Sequence, residues 1–432
     1  MPSPSLPARS PRIASASSAG DSEKGGRGAE RSRLAVLYLS DVYFPRVNGV
    51  STSIATFRRE LLQRGVAVPL LCPGYGGDGI ERAPASPADR PASPGRSASK
   101  IVRLAGFRVP FDPEDRWVPA RRFRAAAANT PDFDHLDLVH IQTPFAAHRA
   151  GVDLARRRGV PVVETYHTYF EHYFEHYLPF LPAGLCRRIA RRLTRKAARE
   201  LDRMVVPSTA MRDALGAYGV TTPMSVIPTG FRPGSMGVGD GARFRARHAI
   251  AADRPVLVHV GRIGHEKNLL FLLQAFERVV RALPSALLVV AGEGPARTEL
   301  QRAASALGLN GHLLWLGYLD RERELADCYR GGDAFVFTSK TETQGLVLLE
   351  AMALGVPVVA LAEMGTRDLL LERRGALVAE DDLDDFAGKC LEVLRDPALR
   401  VRLASEGPLV AADWSAGRMA ERLEGLYDQM LA

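Results

Sequence analysis

From Arg33 onward, short apolar runs alternate with stretches of helical period. "RLAVLYLSD", "VAVPLLCPG", "LDLVHIQTPF", "VPVVETYH" and "LDRMVVPS" each carry four or more apolar residues, mostly β-branched or leucine. That is the composition of strands buried on both faces. Between them lie helical patterns such as "STSIATFRRELLQRG", where Ile54, Phe57, Leu61 and Leu62 keep the helical period and Gly65 ends the element. A break rich in Pro and Gly, "IPTGFRPGSMGVGDG", precedes a second series: "PVLVHVGRI", "ALLVVAGEG", "HLLWLGYL", "DAFVFTS" and "VPVVALAEM", again alternating with helices. Strand then helix, repeated in each half, predicts an α/β fold of two doubly wound, Rossmann-like parallel-sheet domains. Ligands of such sheets bind at the carboxyl ends of the strands, so the central cleft between the halves is the expected active site. The expected division is a disordered tail over 1–32, a first domain over 33–228, and a second domain over 229–414. A C-terminal helix over 415–432, "SAGRMAERLEGLYDQML", is expected to pack back on the first domain.

Length agrees with two domains, since 432 residues exceed one ordinary core. No stretch approaches the roughly 20 apolar residues of a bilayer span. The formal charge of +8 favours acidic partners such as phosphates, nucleic acid or anionic lipid. Cys72, Cys186, Cys328 and Cys390 stand far apart and form no C-x-x-C pair, which fits a reduced, cytosolic compartment. The first thirty residues are rich in Ser, Ala, Pro and Gly and lack the apolar core of a signal peptide. Arg82 to Ser99, "RAPASPADRPASPGRSAS", reads as an inserted surface loop.

The most informative stretch is "SKTETQGLVLLEAMALGVPVVA", Ser339 to Ala360. It leaves a strand at Thr338, turns through polar residues and enters a helix near Gln344, with Thr343 as a suitable N-cap and Gly355 as its stop. Unpaired amides at a helix start, with the helix dipole, make an anion site. Gly345 has no side chain there, so a phosphate can approach the backbone. Glu350, farther along the same helix, is placed to accept the hydroxyls of a ribose, and Glu342 stands before the helix at the strand end. The turn "GRIGHEKN" supplies Arg262 and Lys267, two cations able to neutralise a diphosphate leaving group. For each residue singly, an ordinary surface charge is the competing reading.

With "GRIGHEKN", "AGEGP", "WLGYL" and "TETQGLVLLEAMALGVPVV" in this order, the chain resembles the family-four retaining glycosyltransferases, whose two-domain fold is called GT-B. The resemblance runs from Arg33 to the C-terminus, and it implies that 33–228 is the acceptor-side domain and 229–414 the nucleotide-sugar-binding one. Glu342 and Glu350 match the family's E-x7-E motif. The resemblance implies that Glu350 binds the donor ribose, Arg262 and Lys267 the diphosphate, and Glu342 the transferred sugar, together with Gln344 and the amides around Gly345 and Leu346. Tyr318 is expected near the nucleobase and Gly49, in "DVYFPRVNGVSTSI", near the diphosphate. "VVETYHT" matches the strand-end His-Thr of members acting on lipid-linked acceptors, which puts His167 beside the anomeric carbon. His167 and Glu342 are thus the candidate catalytic residues. "NGVSTSI", "TYHTYFEHY" and "TETQGLVLLEAMA" together resemble bacterial diacylglycerol glycosyltransferases and glycolipid mannosyltransferases.

"ETYHTYFEHYFEHYLPF" also contains His172-Tyr-Phe-Glu175-His176, an H-x-x-E-H pattern. A catalytic zinc needs a third protein ligand, and no further part of a protease pattern is evident. The aromatics Tyr169, Phe170 and Tyr173 fit an acceptor-side loop or helix instead; plain packing is the alternative. Then comes "LCRRIARRLTRKAAREL". Leu185, Ile189, Leu193 and Ala197 recur every four residues, with Arg187, Arg188, Arg191, Arg192, Arg195 and Lys196 around them. This reads as a basic amphipathic helix on anionic lipid, with a solvated helix face as the alternative. No nucleic-acid-binding motif accompanies it.

The expected protein is a retaining hexosyltransferase moving a sugar from a nucleotide-diphosphate sugar, UDP favoured over GDP, to a membrane lipid such as diacylglycerol or a glycolipid. It is expected in the cytoplasm, peripheral on the inner face of the cell membrane, with no required cofactor, and metal dependence and oligomeric state left open. A nucleotide-sugar 2-epimerase of the same fold is the rival, as is a transferase with a soluble or polysaccharide acceptor.

Overall fold

The computed structural model describes residues 34–46, 48–75, 100–109, 112–130, 133, 135–167, 183–232, 236–321 and 323–432. The tail over 1–32, the loop Arg82 to Ser99 and the expectations for Tyr169, Phe170, Tyr173, His172 and His176 lie outside these residues.

The strands in chain order are β1 (Val36–Leu39), β2 (Leu70–Pro73), β3 (Ile101–Leu104), β4 (Phe107–Val109), β5 (Asp112–Trp117), β6 (Leu138–Ile141), β7 (Val162–Thr165), β8 (Arg203–Val206) and β9 (Met224–Val226). The second half contributes β10 (Val256–Val260), β11 (Leu287–Ala291), β12 (Leu313–Leu316), β13 (Ala334–Phe337), β14 (Val358–Leu361) and β15 (Ala376–Ala379). The first half builds a seven-stranded sheet in the order β3-β2-β1-β6-β7-β8-β9, and the second a six-stranded sheet in the order β12-β11-β10-β13-β14-β15. Every pairing in both is parallel. The protein thus has two Rossmann-like domains with helices between the strands, the GT-B arrangement. In each sheet the strand order reverses once, between β1 and β6 and between β10 and β13, and such reversals open the crevices where ligands bind.

The central strands are buried on both faces because helices cover both sides. In the first sheet, one core gathers Leu37, Leu39, Val139 and Ile141, and the other gathers Val36, Tyr38, Leu70 and Leu138. The second core includes residues of the C-terminal helix Ala416–Leu431: Met419, Leu423 and Tyr427 pack with Ile54, Phe57 and Leu61 of helix Gly49–Gln63. Arg422 Nη2 donates to the Val226 carbonyl at 2.7 Å. The chain crosses between the two sheets twice, and the crossings touch: Phe231 bridges Ser415, and a Cβ on Gly230 would stand 2.3 Å from Ala416 Cα.

Outside the two sheets, β4 and β5 form an antiparallel hairpin carrying the ring pair Phe107–Trp117. The apolar pattern did not announce it, since the alternation of Phe107, Val109 and Phe111 in "FRVPFDPEDRW" is brief and interrupted by prolines, and no long apolar run follows.

Candidate active site

One cleft of about 960 Å³ opens where the two sheets reverse. Asp41, Asn48, Gly49, Gln142 and His167 line it from the first half, and His259, Arg262, Lys267, Glu342 and Gln344 to Val347 from the second.

On the first half, Gln142 directly follows β6 and His167 comes two residues after β7. His167 Nε2 lies 3.0 Å from Gln142 Oε1. A carbonyl oxygen only accepts, so Nε2 carries the ring proton and Nδ1 keeps the lone pair. Burial pushes the His167 imidazole down to about 4, which leaves it neutral near pH 7. Beneath it, His140 bonds Thr165 Oγ1 at 2.7 Å and Tyr427 Oη at 2.6 Å, and Tyr427 Oη meets Tyr38 Oη at 2.9 Å. A buried polar chain thus runs from the C-terminal helix to the first-half floor of the cleft. Burial, with the His167 ring beside it, pushes His140 down to about 3.

Asp41, just past β1, accepts the Thr143 hydroxyl at 2.8 Å and the Ala146 and Ala147 amides at 3.1 Å, capping helix Ala146–Arg158. Its carboxyl is pushed up to about 6 by burial, against the pull of those donors. Asn48 caps the next wall: its Oδ1 accepts the Ser51 amide at 2.9 Å, and Gly49 opens helix Gly49–Gln63. A Cβ at Gly49 would meet nothing within 4 Å, so packing does not demand glycine there and the approach from the cleft is open.

On the second half the helix starts later than the sequence implies. It spans Leu346–Ala353 with Gly345 as N-cap, and no side chain caps it, so Thr343 is not the cap. The reason is local: Gly345 sits at φ +81°, a left-handed conformation that turns the chain into the helix. A Cβ at Gly345 would stand 2.8 Å from Thr366 Cγ2. The first amides of the helix therefore face the cleft without a side-chain acceptor, which is an anion-binding geometry. Gln344 is committed elsewhere: its Oε1 accepts the Thr229 amide at 2.9 Å and its Nε2 donates to the Thr229 carbonyl. It ties the chain crossing to the second-half wall of the cleft.

The two expected cations both reach the cleft. Lys267 Nζ pairs with Glu342 Oε2 at 2.6 Å, and Arg262 Nη1 lies 3.3 Å from Glu266 Oε1 on an exposed edge. Glu350 is buried one helical turn from the helix start, where Arg321 and the Tyr329 hydroxyl hold its carboxylate, Tyr329 Oη at 2.9 Å. It is not among the cleft-lining residues, and neither is Tyr318, which is 79% exposed. Arg321 and Tyr329 went unnoticed in the sequence, because an Arg in a polar turn and a Tyr in an apolar helix carry no pattern. Asp41, Gln142 and His259 were missed for a related reason: each sits in or beside a strand-end motif without any spacing to mark it.

Helix Ala183–Ala198 turns Ala190, Thr194 and Ala198 inward. Leu185 and Leu193 are 43% and 51% exposed, and Arg188, Arg192 and Lys196 are exposed as well. At 3.6 residues per turn, Leu185, Ile189 and Leu193 form an outward apolar stripe flanked by Arg192 and Lys196. Arg191 instead stacks on Tyr218, 4.9 Å from the ring, and Arg195 lies against Gly219. The side chain of Arg187 is outside the described residues. No helix among the described residues is long and apolar enough to cross a membrane.

Comparison with known proteins agrees with this architecture. Residues 47–234 match the model of Glycosyltransferase Family 4, and 240–409 match Glycosyl transferases group 1. The alpha-monoglucosyldiacylglycerol synthase of Streptococcus pneumoniae is 32% identical over 362 residues, covering 82% of this chain and 77% of that protein. The D-inositol 3-phosphate glycosyltransferase of Nocardiopsis dassonvillei is 30% identical over 400 residues, 88% of this chain and 89% of that protein. Among solved structures, Anabaena Alr3699/HepE in complex with UDP superposes with a TM-score of 0.70 at 16% identity, covering 92% of this chain and all of that one.

Proposed function

The chain belongs to glycosyltransferase family 4, and from that premise we propose that it is a retaining enzyme transferring a hexose from a nucleotide-diphosphate sugar to a membrane lipid. The observation that carries the donor half is the mouth of helix Leu346–Ala353: uncapped amides behind Gly345, with Lys267 and Arg262 on the same cleft. A diphosphate seated there meets two cations and a helix start, and departs with its charge stabilised. Lys267 is already held in place by Glu342, so the cation is positioned before the donor arrives. The donor then separates the pair: Lys267 turns to the diphosphate, and Glu342 is freed to accept hydroxyls of the transferred sugar. The ribose reaches Glu350, one turn along the helix, by displacing Arg321 from its carboxylate, and Tyr318 is assigned to the base. UDP is the favoured nucleotide; the Anabaena neighbour was solved with UDP.

On the acceptor side, neutral His167 offers its Nδ1 lone pair to a hydroxyl near the anomeric carbon. The acceptor hydroxyl attacks from the face that the diphosphate leaves, and the leaving phosphate oxygen takes its proton. A lipid acceptor is supported by three features. The relative from Streptococcus pneumoniae is named for a diacylglycerol glycolipid. The first-half wall of the cleft exposes Trp117 and Phe145, 55% and 52% accessible. Helix Ala183–Ala198 presents apolar and basic side chains on one outward face, the pattern of a peripheral helix on anionic lipid. Attachment to the inner face of the cell membrane follows from that reading.

The test is incubation with UDP-glucose, UDP-galactose or GDP-mannose and vesicles containing diacylglycerol. Formation of a glycosyldiacylglycerol whose first-formed anomer matches the donor is expected. Epimerised nucleotide sugar without acceptor would favour a 2-epimerase, and an inverted anomer would remove the retaining assignment.

A further inference from the structure

Among the described residues that line the cleft, His259 carries a buried ring nitrogen with no partner. It stands one residue before the end of β10, at the edge where β10 and β13 part and the strand order of the second sheet reverses. The two strands pair through Leu257–Ala334 and Val258–Phe335; the Val336 carbonyl beyond that register accepts His259 Nδ1 instead, at 3.1 Å. The imidazole thus occupies the crevice that such folds use for ligands. Its ring lies nearly parallel to those of Phe335 and Phe337, at 10° and 21°. The residue is only 1% exposed, so its orientation is fixed.

The carbonyl decides the tautomer. Nδ1 carries the proton, and Nε2 is left with a lone pair and no donor. Burial and the nearby Lys267 charge hold the imidazole down to about 4, so it stays neutral. A Cβ on Gly261 would lie 3.5 Å from Nε2, which places this nitrogen under the turn that carries Arg262. A buried acceptor without a donor costs free energy, and a ligand that supplies one recovers it. Phosphate oxygens have no proton to give at neutral pH. Hydroxyl groups do.

We infer that His259 is a specificity-determining residue whose Nε2 accepts a hydrogen bond from a hydroxyl of the transferred sugar. The inference rests on the nucleotide-sugar reading of the cleft and adds to it. It assigns His259 to the sugar, whereas Arg262 and Lys267 hold the diphosphate. His259 therefore separates the affinity for a sugar nucleotide from the affinity for its bare nucleoside diphosphate.

The experiment titrates the wild type, His259→Phe and His259→Gln with UDP, UDP-glucose, GDP and GDP-mannose by calorimetry, with thermal melting as the check on folding. Phe keeps the aromatic stack and removes both nitrogens; Gln returns an acceptor oxygen. For whichever pair the wild type binds, His259→Phe should weaken the sugar nucleotide about tenfold or more and leave the bare diphosphate within about twofold. His259→Gln should recover part of the loss, and should His259→Phe fail to fold, His259→Leu, which also lacks both ring nitrogens, is judged by the same criterion against the wild type. Equal weakening of both ligands, or no weakening of either, overturns the assignment. Binding of none of the four ligands to the wild type would overturn the nucleotide-sugar reading itself, and this inference with it.

Discussion

His167 differs from an ordinary surface histidine through two neighbours: the burial that keeps it neutral and the Gln142 carbonyl oxygen that fixes its proton on Nε2. Its ring is uncharged well below neutrality, so kcat/KM should show no inflection from this group between about pH 6 and 8. A pH–rate profile checks this; a titration near the ordinary histidine value would contradict it. Gln142→Leu should lower kcat/KM about tenfold by releasing the tautomer while leaving the melting temperature almost unchanged. Lys267 sits in contact with Glu342 on the second-half wall of the cleft. If the proposed role holds, Lys267→Ala removes one of two cations from the leaving diphosphate, and a loss of about 100- to 1000-fold in kcat is expected by steady-state kinetics. The buried histidines also bear on stability. His140, His167 and His259 remain neutral in the fold down to about 3, 4 and 4, whereas an unfolded histidine protonates near pH 6.5. Asp41 opposes them, holding a proton in the fold up to about 6 that the unfolded chain has lost. The balance is a net uptake of about two protons on unfolding below pH 6, so stability should fall as pH drops from about 6.5 towards 4. Melting curves at pH 6.5 and 5 test the sign.

At the scale of elements, helix Leu346–Ala353 was legible as a helix following a polar turn but not in its start, because the N-cap is a left-handed glycine and the polar run "TETQ" offers tempting side-chain caps. Gly345→Ala places a Cβ against Thr366 at a positive φ, and a loss of about 1–2 kcal/mol in stability is expected from denaturant unfolding, with weaker nucleotide binding. The basic helix was legible as amphipathic, while its orientation was not: the four-residue recurrence of Leu185, Ile189 and Leu193 marks a stripe without saying which way it faces. It faces outward because the smaller Ala190, Thr194 and Ala198 fit the tight inner contact. Replacing Arg188 and Arg192 by Ser should weaken binding to phosphatidylglycerol vesicles by about 30-fold, at about 1 kcal/mol per charge, with no effect on phosphatidylcholine vesicles. Vesicle sedimentation measures it, and unchanged binding would remove this helix from the membrane surface.

At the scale of the molecule, the sheets were readable because parallel strands buried on both faces leave continuous apolar runs, as in "PVLVHVGRI" and "DAFVFTS". The short outer strands β3, β9 and β15 and the hairpin of β4 and β5 left weaker traces. Edge strands pair on one side only, and "IVRL" and "MSV" are too short to stand out from loops. The contact between the two chain crossings was invisible in sequence, since Gly230 and Ala416 are far apart along the chain and meet backbone to backbone. Gly230→Ala should therefore lower stability by about 1–3 kcal/mol.

The central claim is that a sugar nucleotide's diphosphate occupies the mouth of helix Leu346–Ala353 between Arg262 and Lys267. A crystal structure with bound donor tests it most directly. The account predicts phosphate oxygens within hydrogen-bond reach of the Gly345 and Leu346 amides, with Lys267 turned from Glu342 to the diphosphate. A donor bound away from this helix, with the Lys267–Glu342 pair intact, would contradict it.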